Sequence, residues 1–302
     1  MPTRIVFSKK YTVKDRGHVF RTDKFEAALK LLLKERVIRP ADIAEPPRPS
    51  KADLLLAHSP AWVDKILSGK LTPADQAAVE LEAAKDVIEA HVMNAGGTIL
   101  AARLALKTGL GINCGGGGHH AFRGRGAGFC LVNDIAIAVK KLQKEKLIKK
   151  ALIIDLDVHQ GDGTASIFKN DGSVFTFSIH QRDLYPDIKQ RGSLDLELPA
   201  GTGDAAYLKL LKANLPRCFK SGPDLVIYNA GADVYGRDLL GGLKLTMGGV
   251  RRRDELVFAE CFARKTPVAL VLSGGYAAKF SDTARLHANT MKAALAQWRR
   301  KN

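Results

Sequence analysis

Cysteine is scarce in this sequence. The chain has 302 residues and four cysteines, and no two of them form a CxxC pair or a zinc-ribbon spacing. This scarcity argues against a disulfide-stapled scaffold and a cysteine-based zinc module. We therefore expect reduced thiols in or near the core, at Cys114, Cys130, Cys218 and Cys261.

Long hydrophobic runs are missing as well. No segment approaches the roughly 18 uninterrupted apolar residues that a membrane span needs. The first ten residues, MPTRIVFSKK, contain no apolar core of a secretory signal. These two absences predict a cytoplasmic protein without a membrane span. The sequence also contains no fixed-period repeat and no low-complexity segment.

Acidic residues are in deficit. The chain carries 47 Lys and Arg against 31 Asp and Glu, which gives a net charge of +16. Such a field attracts anions and repels polyamines. The basic clusters at 140–150, 251–253 and 299–301 are scattered along the sequence and contain no interleaved aromatic residues. We therefore interpret most of them as solvated helix faces, and nucleic-acid binding is the less favoured use of this charge.

Apolar runs alternate with helical patterns along most of the chain, and hydrophobic residues make up 46% of it. The predicted strands lie at 4–8, 111–114, 151–155, 174–179, 224–229 and 267–272. The predicted helices lie at 22–35, 60–67, 72–92, 94–107, 133–146, 163–169, 204–220, 247–264 and 282–299, with a break near Gly96–Gly97. This alternation predicts an α/β fold in which a single open, mainly parallel sheet has helices on both faces. We expect one catalytic domain over residues 1–302.

Unusual polar residues follow five of the predicted strands. Their side chains are expected at one rim, because sites in open α/β sheets lie beyond the carboxyl ends of the strands. The residues in question are His119, His120, Asp155, Asp157, His159, Asp162, His180, Asp233 and Tyr276. This convergence is the strongest functional signal that the residues give by themselves.

A divalent metal ion would explain the acids within ALIIDLDVHQGDG, residues 151–163. Asp157 and His159 are two residues apart, so on an extended segment their side chains point to the same side. With Asp233 from another strand end they form a three-ligand set with an open position, which suits catalytic zinc. Iron(II) or cobalt(II) could occupy the same ligands. The alternative is that Asp157 caps a turn and His159 is a packed polar residue.

Two adjacent histidines follow the glycine run GGGGHH. His119 and His120 need partners that fix their tautomers, and Asp155 and Asp162 are the candidates. A His–Asp pair suits general-base work on a metal-activated water. A phosphate-binding loop is disfavoured, because no Lys-Ser/Thr ending and no ribose-binding acid follow the glycines. Tyr276 could donate a hydrogen bond to an oxyanion, although an ordinary interfacial tyrosine has the same appearance.

Five motifs in this order resemble those of the zinc-dependent histone deacetylase family, which has the arginase/deacetylase fold. They are GGGGHHA, GFCLVND, DLDVHQGDGT, NAGAD and SGGY, and they span residues 115–276. Two further stretches, SIHQRDLYP and GGLKLTMGGVRRRDELVF, are most similar to the class IV branch and its bacterial relatives. The resemblance implies an amidohydrolase that removes acetyl or longer acyl groups from lysine side chains of proteins or peptides.

The resemblance also implies a role for each matching residue. The implied zinc ligands are Asp157, His159 and Asp233. The implied catalytic residues are His120 with Asp162, His119 with Asp155, and Tyr276. The implied substrate-binding residues are Gly128, Phe129, Gly274 and Gly275. A structural K⁺ or Na⁺ ion is implied beside Asp155, Asp157, His159 and Ser178.

The sequence departs from the family pattern at two places. No acidic rim residue that would grip the substrate backbone can be identified, and residues 182–184 lack the phenylalanine of the second tunnel wall. Three alternative functions remain at this point. They are an amidohydrolase for acetylpolyamines or other small acylated amines, an arginase with two manganese ions, and a non-catalytic basic module that binds nucleic acid.

Overall fold

The computed structural model of the chain describes residues 5–15 and 17–301, without the side chain of the last of these. Residues 1–4 lie outside the described part. The strand predicted at 4–8 is therefore tested only from Ile5 onward, and nothing in the structure bears on the signal-peptide argument for residues 1–4.

The described strands form one open sheet of eight parallel strands, which confirms the predicted fold class. The strands are β1 (Ile5–Val6), β2 (Ile43–Ala44), β3 (Leu110–Asn113), β4 (Ala151–Asp155), β5 (Val174–Gln181), β6 (Leu194–Leu198), β7 (Leu225–Asn229) and β8 (Val268–Val271). Their order across the sheet is β2-β1-β3-β8-β7-β4-β5-β6. Every neighbouring pair is parallel.

Helices connect the strands and cover the sheet. They are α1 (Asp23–Lys34), α2 (Lys51–Leu54), α3 (Pro60–Ser68), α4 (Pro73–Val79), α5 (Lys85–Thr108), α6 (Asp134–Lys144), α7 (Asp162–Phe168), α8 (Asp204–Cys218), α9 (Met247–Ala263) and α10 (Phe280–Lys301). Alternate residues of β4 belong to two different hydrophobic clusters. Leu152 and Ile154 lie in one, and Ala151 and Ile153 lie in the other. The sheet is therefore buried on both faces, as its continuous apolar strands predict.

The helix break predicted near Gly96–Gly97 is wrong. Helix α5 runs unbroken through both glycines, and the break lies between Val79 and Lys85. The glycines serve close packing instead of ending the helix. A Cβ atom on Gly97 would lie 1.9 Å from Tyr11 Oη, and one on Gly96 would lie 2.2 Å from a backbone carbonyl oxygen.

Two strands were not predicted from the sequence. Strand β2 lies within the segment 39–50, which we expected to be a proline-rich loop, and β6 lies in a stretch to which no element was assigned. Both are the outermost strands of the sheet. Four of the five residues of β6 are at least partly exposed, so it lacks the apolar run that marks the central strands.

All four cysteines are buried free thiols, as expected. Among the helices described, none has both the length and the apolar character that crossing a bilayer requires.

The sheet order brings the functional segments together. Strands β3, β8, β7 and β4 are consecutive neighbours in the middle of the sheet. Because they are parallel, the segments that follow them, 114–133, 272–279, 230–246 and 156–161, leave the same edge.

Candidate metal centre and active site

Three candidate ligands from two strand ends converge on one point. Asp157 and His159 follow β4, Asp233 follows β7, and one ligand atom from each lies within 4.8 Å of the other two. His159 Nδ1 is 3.1 Å from Asp157 Oδ1 and 3.5 Å from Asp233 Oδ2. Two carboxylates and one imidazole in this arrangement form a donor set that suits a single divalent transition metal ion.

The electrostatics of this cluster favour a bound cation. Burial and the neighbouring Asp157 carboxylate both raise the pKa of Asp233 above its usual range. Burial alone would lower the pKa of His159, but its interactions with Asp157 and Asp233 outweigh that effect and raise it to about 10. Asp233 Oδ2 is buried and accepts no hydrogen bond from any residue that the structure describes. A buried carboxylate oxygen without a hydrogen bond costs free energy unless a cation compensates it.

Each of the two adjacent histidines is paired with its own carboxylate. His119 Nδ1 lies 2.8 Å from Asp155 Oδ2, and His120 Nδ1 lies 2.6 Å from Asp162 Oδ1. Because an ionised carboxylate only accepts hydrogen bonds, each Nδ1–H donates and Nε2 is the ring atom left for chemistry. The folded chain thus contains both His–Asp pairs that the sequence led us to expect.

The two imidazoles differ in their pKa values, although they are neighbours. Burial would lower the pKa of His119, but the Asp155 and Asp157 carboxylates outweigh burial and raise it to about 9. For His120, burial and the nearby His119 lower the pKa to about 4, against the opposing effect of Asp162. The pKa values of the two rings are thus shifted in opposite directions, although the ring centroids lie only 4.1 Å apart.

The segment that carries Asp157 and His159 is not extended, which corrects the reasoning from the sequence. Strand β4 ends at Asp155, and residues 157–159 form bends. The carboxylates themselves make these bends, because Asp155 Oδ1 accepts the Asp157 N–H and Asp157 Oδ1 accepts the His159 N–H. Aspartates that bond the backbone two residues onward are typical of turns. The two side chains meet because the chain bends here.

The glycine run after β3 lets two site segments touch. Gly117 has a φ of +89°, a conformation that favours glycine. A Cβ atom there would lie 2.5 Å from the Cβ atom of Ser273, which belongs to the segment after β8. Ser273 Oγ in turn donates to Asp157 Oδ2 at 2.9 Å. The glycine therefore fits because another backbone passes beside it and supports a candidate ligand.

A cavity of about 250 Å³ leads to the cluster. Its walls include Phe129, Tyr185 and Tyr276, together with both paired histidines and the candidate ligands Asp157 and His159. The Tyr276 ring lies 5.9 Å from the Phe129 ring, and the Tyr185 ring lies 4.9 Å from the His120 ring. Aromatic side chains thus line the cavity together with the paired histidines and the candidate ligands.

Most of the predicted substrate-binding residues line this cavity, but Gly275 does not. Gly128, Phe129 and Gly274 are among its walls in the described part of the chain. The carbonyl oxygen of Gly275 instead accepts a hydrogen bond from Lys24 Nζ at 3.2 Å, behind Tyr276. Ser178, predicted beside a monovalent cation, has its hydroxyl 2.8 Å from His180 Nδ1.

The Histone deacetylase domain family matches residues 18–293 of the chain. The chain belongs to the histone deacetylase family. This agrees with the resemblance of its five motifs. Family membership makes the protein a deacetylase-type hydrolase that acts on amides, with acylated compounds as its class of substrate.

Two related proteins and one solved structure match most of the chain. An uncharacterized protein of Picosynechococcus sp. is 45% identical over 92% of this chain and 93% of its own length. Histone deacetylase 2 of Arabidopsis thaliana is 33% identical over 95% of this chain and 77% of its own length. The crystal structure of the HDA15 HD domain superposes with a TM-score of 0.77 at 23% identity, covering 99% of this chain and 93% of that one. The last comparison bears on the fold alone.

Reasoning from the sequence missed three residues at or beside this candidate site. Tyr185 lines the cavity and directly follows residues 182–184, which lack the phenylalanine expected for a second aromatic wall. Glu80 is an exposed acidic residue at the cavity wall, in a stretch that was predicted to be continuous helix. Lys24 is 1% exposed and lies with its Nζ atom 4.6 Å from the centre of the Tyr276 ring. No local pattern distinguishes Lys24 from the exposed lysines of an amphipathic helix.

Proposed function

We propose that the chain is a single catalytic domain over residues 1–302 that hydrolyses the amide bond of acylated lysine in proteins or peptides. The observation that carries the proposal is the position of the Asp157–His159–Asp233 cluster beside two His–Asp pairs at the wall of one aromatic cavity. A metal-ligand set, a candidate proton acceptor and a candidate oxyanion donor are the parts that metal-assisted amide hydrolysis needs.

Zn²⁺ is the proposed metal, with Fe²⁺ or Co²⁺ as alternatives on the same ligands. Asp233 Oδ2, which accepts no hydrogen bond from the described residues, supports the fit of a cation. The cluster among the described residues has three members. Three members suit one ion better than the two manganese ions of an arginase-type centre. When bound, such an ion supplies Lewis-acid polarisation of the amide carbonyl and acidifies a water molecule.

The proposed proton carriers are the two histidines. His120 is the proposed general base, because its pKa is low enough to keep Nε2 unprotonated while Asp162 holds Nδ1–H. His119, whose pKa is raised to about 9, is the proposed electrostatic companion. A protonated imidazole of this pair then gives a proton to the leaving lysine amine.

Tyr276 is the proposed donor to the oxyanion that forms at the acyl carbonyl. Burial and the Asp157 and Asp233 carboxylates raise the pKa of Tyr276 well above its usual value, so its hydroxyl keeps its proton. A neutral hydroxyl at the cavity wall can donate where negative charge develops. Gly128, Phe129 and Gly274 are the proposed contacts of the acyl-lysine chain. A K⁺ or Na⁺ ion is proposed beside Asp155, Asp157, His159 and Ser178.

The size of the cavity supports acyl groups longer than acetyl. A cavity of about 250 Å³ is larger than an acetylated lysine side chain, and its walls include the apolar residues Phe20, Phe25 and Val132. The net charge of +16 disfavours acetylpolyamines as substrates, because cationic amines are repelled. Acylated lysine in neutral or acidic surroundings is therefore the proposed substrate.

The test measures release of acetate, octanoate and myristate from matched acyl-lysine peptides, before and after chelation and with defined metals restored. We expect turnover that disappears with the chelator and returns with Zn²⁺. Asp157→Ala should abolish it, whereas Asp64→Ala, on the exposed side of α3, should not. Turnover that persists in Asp157→Ala would refute the proposed centre.

A further inference from the structure

A buried arginine lies directly beneath the candidate metal centre. The run RRR at 251–253 was interpreted as a solvated helix face, and Arg251 and Arg252 are indeed exposed. Arg253, in the same helix α9, is 0% exposed. A guanidinium group is almost never fully buried unless its donors are satisfied. The contacts of Arg253 therefore show what the fold uses it for.

One nitrogen of Arg253 holds the two segments that carry the candidate ligands. Nη1 donates to the carbonyl oxygen of Leu156 at 3.0 Å and to that of Gly231 at 2.7 Å. Leu156 is the residue before Asp157, and Gly231 is two residues before Asp233. Both carbonyls belong to backbone that has just left the sheet, where the strand ladder no longer supplies partners.

The positive charge of this arginine is balanced away from the centre. Arg253 Nε donates to Asp254 Oδ1 at 2.9 Å, and Nη2 lies 2.8 Å from the same oxygen. Asp254 also accepts hydrogen bonds from Tyr228 at 2.6 Å and from Thr290 at 2.6 Å. Tyr228 in β7 and Thr290 in α10 thus hold the Asp254 carboxylate of the ion pair. Nη1 is the guanidinium nitrogen that contacts the two carbonyls.

We propose that Arg253 is a positioning residue that keeps the Asp157–His159 segment and the Asp233 segment at the separation a single metal ion requires. Metal–ligand distances tolerate only about 0.2 Å of error, so two independent loops need a common support. A direct link between the segments exists as well, because the Val158 N–H donates to Asp233 Oδ1 at 2.8 Å. This inference rests on the proposed metal centre, and its test separates the two.

The test compares Arg253→Lys with Thr290→Val. Lysine keeps the charge but has one short ammonium head, which cannot reach both carbonyls and Asp254 as the guanidinium does. Thr290→Val removes a hydrogen bond from the same buried ion pair without touching Leu156 or Gly231. Zn²⁺ affinity is measured by chelator competition, and amide hydrogen exchange is followed in metal-free protein over peptides that contain 156–160 and 230–234.

We expect Arg253→Lys to weaken Zn²⁺ binding by about 10–100-fold, the usual cost of losing an outer partner of a metal ligand. The Val158 amide should exchange faster in this variant, while Thr290→Val leaves affinity and exchange at the wild-type level even if its melting temperature falls equally. Unchanged affinity and exchange in Arg253→Lys would overturn the positioning role while leaving the metal centre intact. Faster exchange in Arg253→Lys, together with a wild-type chain that binds no Zn²⁺, would uphold the positioning and refute the centre.

A second inference comes from the opposite edge of the sheet. Two of the three basic clusters, those at 140–150 and 299–301, lie there, because the helices that lead back into parallel strands end at this edge and Arg299 at the end of α10 contacts the connection into β2. We define the basic edge as the last helical turns and connections 31–42, 105–109, 141–150, 165–173, 215–224, 260–267 and 298–300. These segments contain sixteen Lys and Arg residues against six Asp and Glu residues.

The basic edge therefore holds a surplus of ten positive charges, against +16 for the whole chain. Favourable interaction with helix C-termini accounts for some basic residues in the last turns. It does not account for Lys149 and Lys150, which lie in a connection several residues after α6. Neighbouring connections touch, since Lys150 Nζ donates to the carbonyl oxygen of Ser221 at 3.1 Å. The connections into β4 and β7 are thus in direct contact, and Arg299 Nη2 joins the end of α10 to the connection into β2 through the carbonyl oxygen of Val37 at 2.8 Å.

The shape and chemistry of this surface fit a phosphate backbone. It extends from β2 to β5, a span of seven strands or roughly 30 Å, comparable with about nine base pairs of a nucleic acid duplex. The aromatic residues of the defined segments, Phe168, Phe219, Phe262 and Trp298, are buried, so no platform for stacking single-stranded bases is present in these segments. Leu147 is the one large apolar side chain exposed among these segments, which is too little for insertion into a lipid surface.

We propose that the basic edge binds the phosphate backbone of double-stranded nucleic acid, with the catalytic cavity on the opposite edge left open to substrate. Electrostatic contacts of this kind are independent of sequence and release counterions, so affinity falls steeply with salt. The surface does not depend on the metal centre or on the proposed substrate.

The test uses fluorescence anisotropy with a labelled DNA duplex of about 24 base pairs over a series of salt concentrations. The edge variant is Lys149→Glu/Lys220→Glu/Lys265→Glu, with one exposed lysine from each connection into β4, β7 and β8. Its control has the same change of net charge at exposed lysines away from this edge, Lys9→Glu/Lys70→Glu/Lys85→Glu.

We expect the edge variant to bind at least about 30-fold more weakly and to lose about 3 units of the slope of log affinity against log salt, while the control changes affinity less than about 3-fold. Equal losses in both variants would show that only net charge matters and would overturn the proposed surface. Binding to vesicles containing phosphatidylserine without binding to the duplex would overturn it as well.

Discussion

Gly274 leaves no room for a side chain beside the candidate metal ligands, and this gives a sharp prediction. A Cβ atom on Gly274 would lie 2.0 Å from Asp233 Oδ2 and 2.6 Å from Asp157 Oδ2. Carbon–oxygen contacts closer than about 3 Å are not tolerated, so Gly274→Ala must displace the Asp233 carboxylate by about 1 Å. That shift is several times the roughly 0.2 Å tolerance of a metal–ligand distance.

We therefore expect Gly274→Ala to reduce Zn²⁺ affinity by at least about 100-fold, measured by competition with a chromogenic chelator. The matched control is Gly248→Ala in α9, where the nearest atom would lie 3.5 Å from the new Cβ. That variant should bind Zn²⁺ as the wild type does, and circular dichroism verifies that both variants are folded. A folded Gly274→Ala protein with Zn²⁺ affinity within threefold of the wild type would refute the assignment of Asp157 and Asp233 as ligands of one ion.

Three further predictions concern the oxyanion, the helix packing and acid stability. Tyr276→Phe should lower kcat on an acyl-lysine peptide by about 10²–10³-fold with a smaller effect on KM, and an unchanged kcat would exclude the hydroxyl from the reaction. Gly97→Ala should lower the free energy of unfolding by about 1–3 kcal/mol in urea titrations, because its Cβ would lie 1.9 Å from Tyr11 Oη; equal stability would contradict the close packing. Burial lowers the pKa of His58 from 6.5 to about 4, so the folded state binds fewer protons than the unfolded state. The free energy of unfolding should therefore decrease as the pH falls from 6.5 through 4, by up to about 3 kcal/mol. His58→Gln should flatten this part of the plot of unfolding free energy against pH.

The His58 prediction follows from two hydrogen bonds that fix its neutral form. Nδ1 lies 2.9 Å from the carbonyl oxygen of Phe122, and Nε2 accepts the N–H of Asn133 at 2.9 Å. A carbonyl oxygen only accepts, so Nδ1 carries the proton and Nε2 must remain free of one. Protonation in acid would place two N–H groups against each other, which is the physical reason for the loss of stability.

The central strands and the candidate site were readable from the sequence because their signals are local. An apolar run such as ALII is buried on both faces wherever a parallel sheet has helices on both sides, and the alternation with helices indicates that sheet. The outermost strands β2 and β6 escaped prediction because they are short or half-exposed. The break expected at Gly96–Gly97 was wrong. Glycine has a low helix propensity, but the close packing that these two glycines permit outweighs it.

The sequence by itself determined the fold class and the set of polar residues at the carboxyl ends of the strands. Only the tertiary structure decided which of three consecutive arginines turns inward, that Tyr185 and Glu80 reach the cavity, and that scattered lysines share one edge. The physical reason is the separation along the chain. Arg253 acts on a carbonyl 97 positions away, a distance at which no periodic pattern carries information. Such contacts exist only after parallel strands have brought remote connections to the same edge of the sheet.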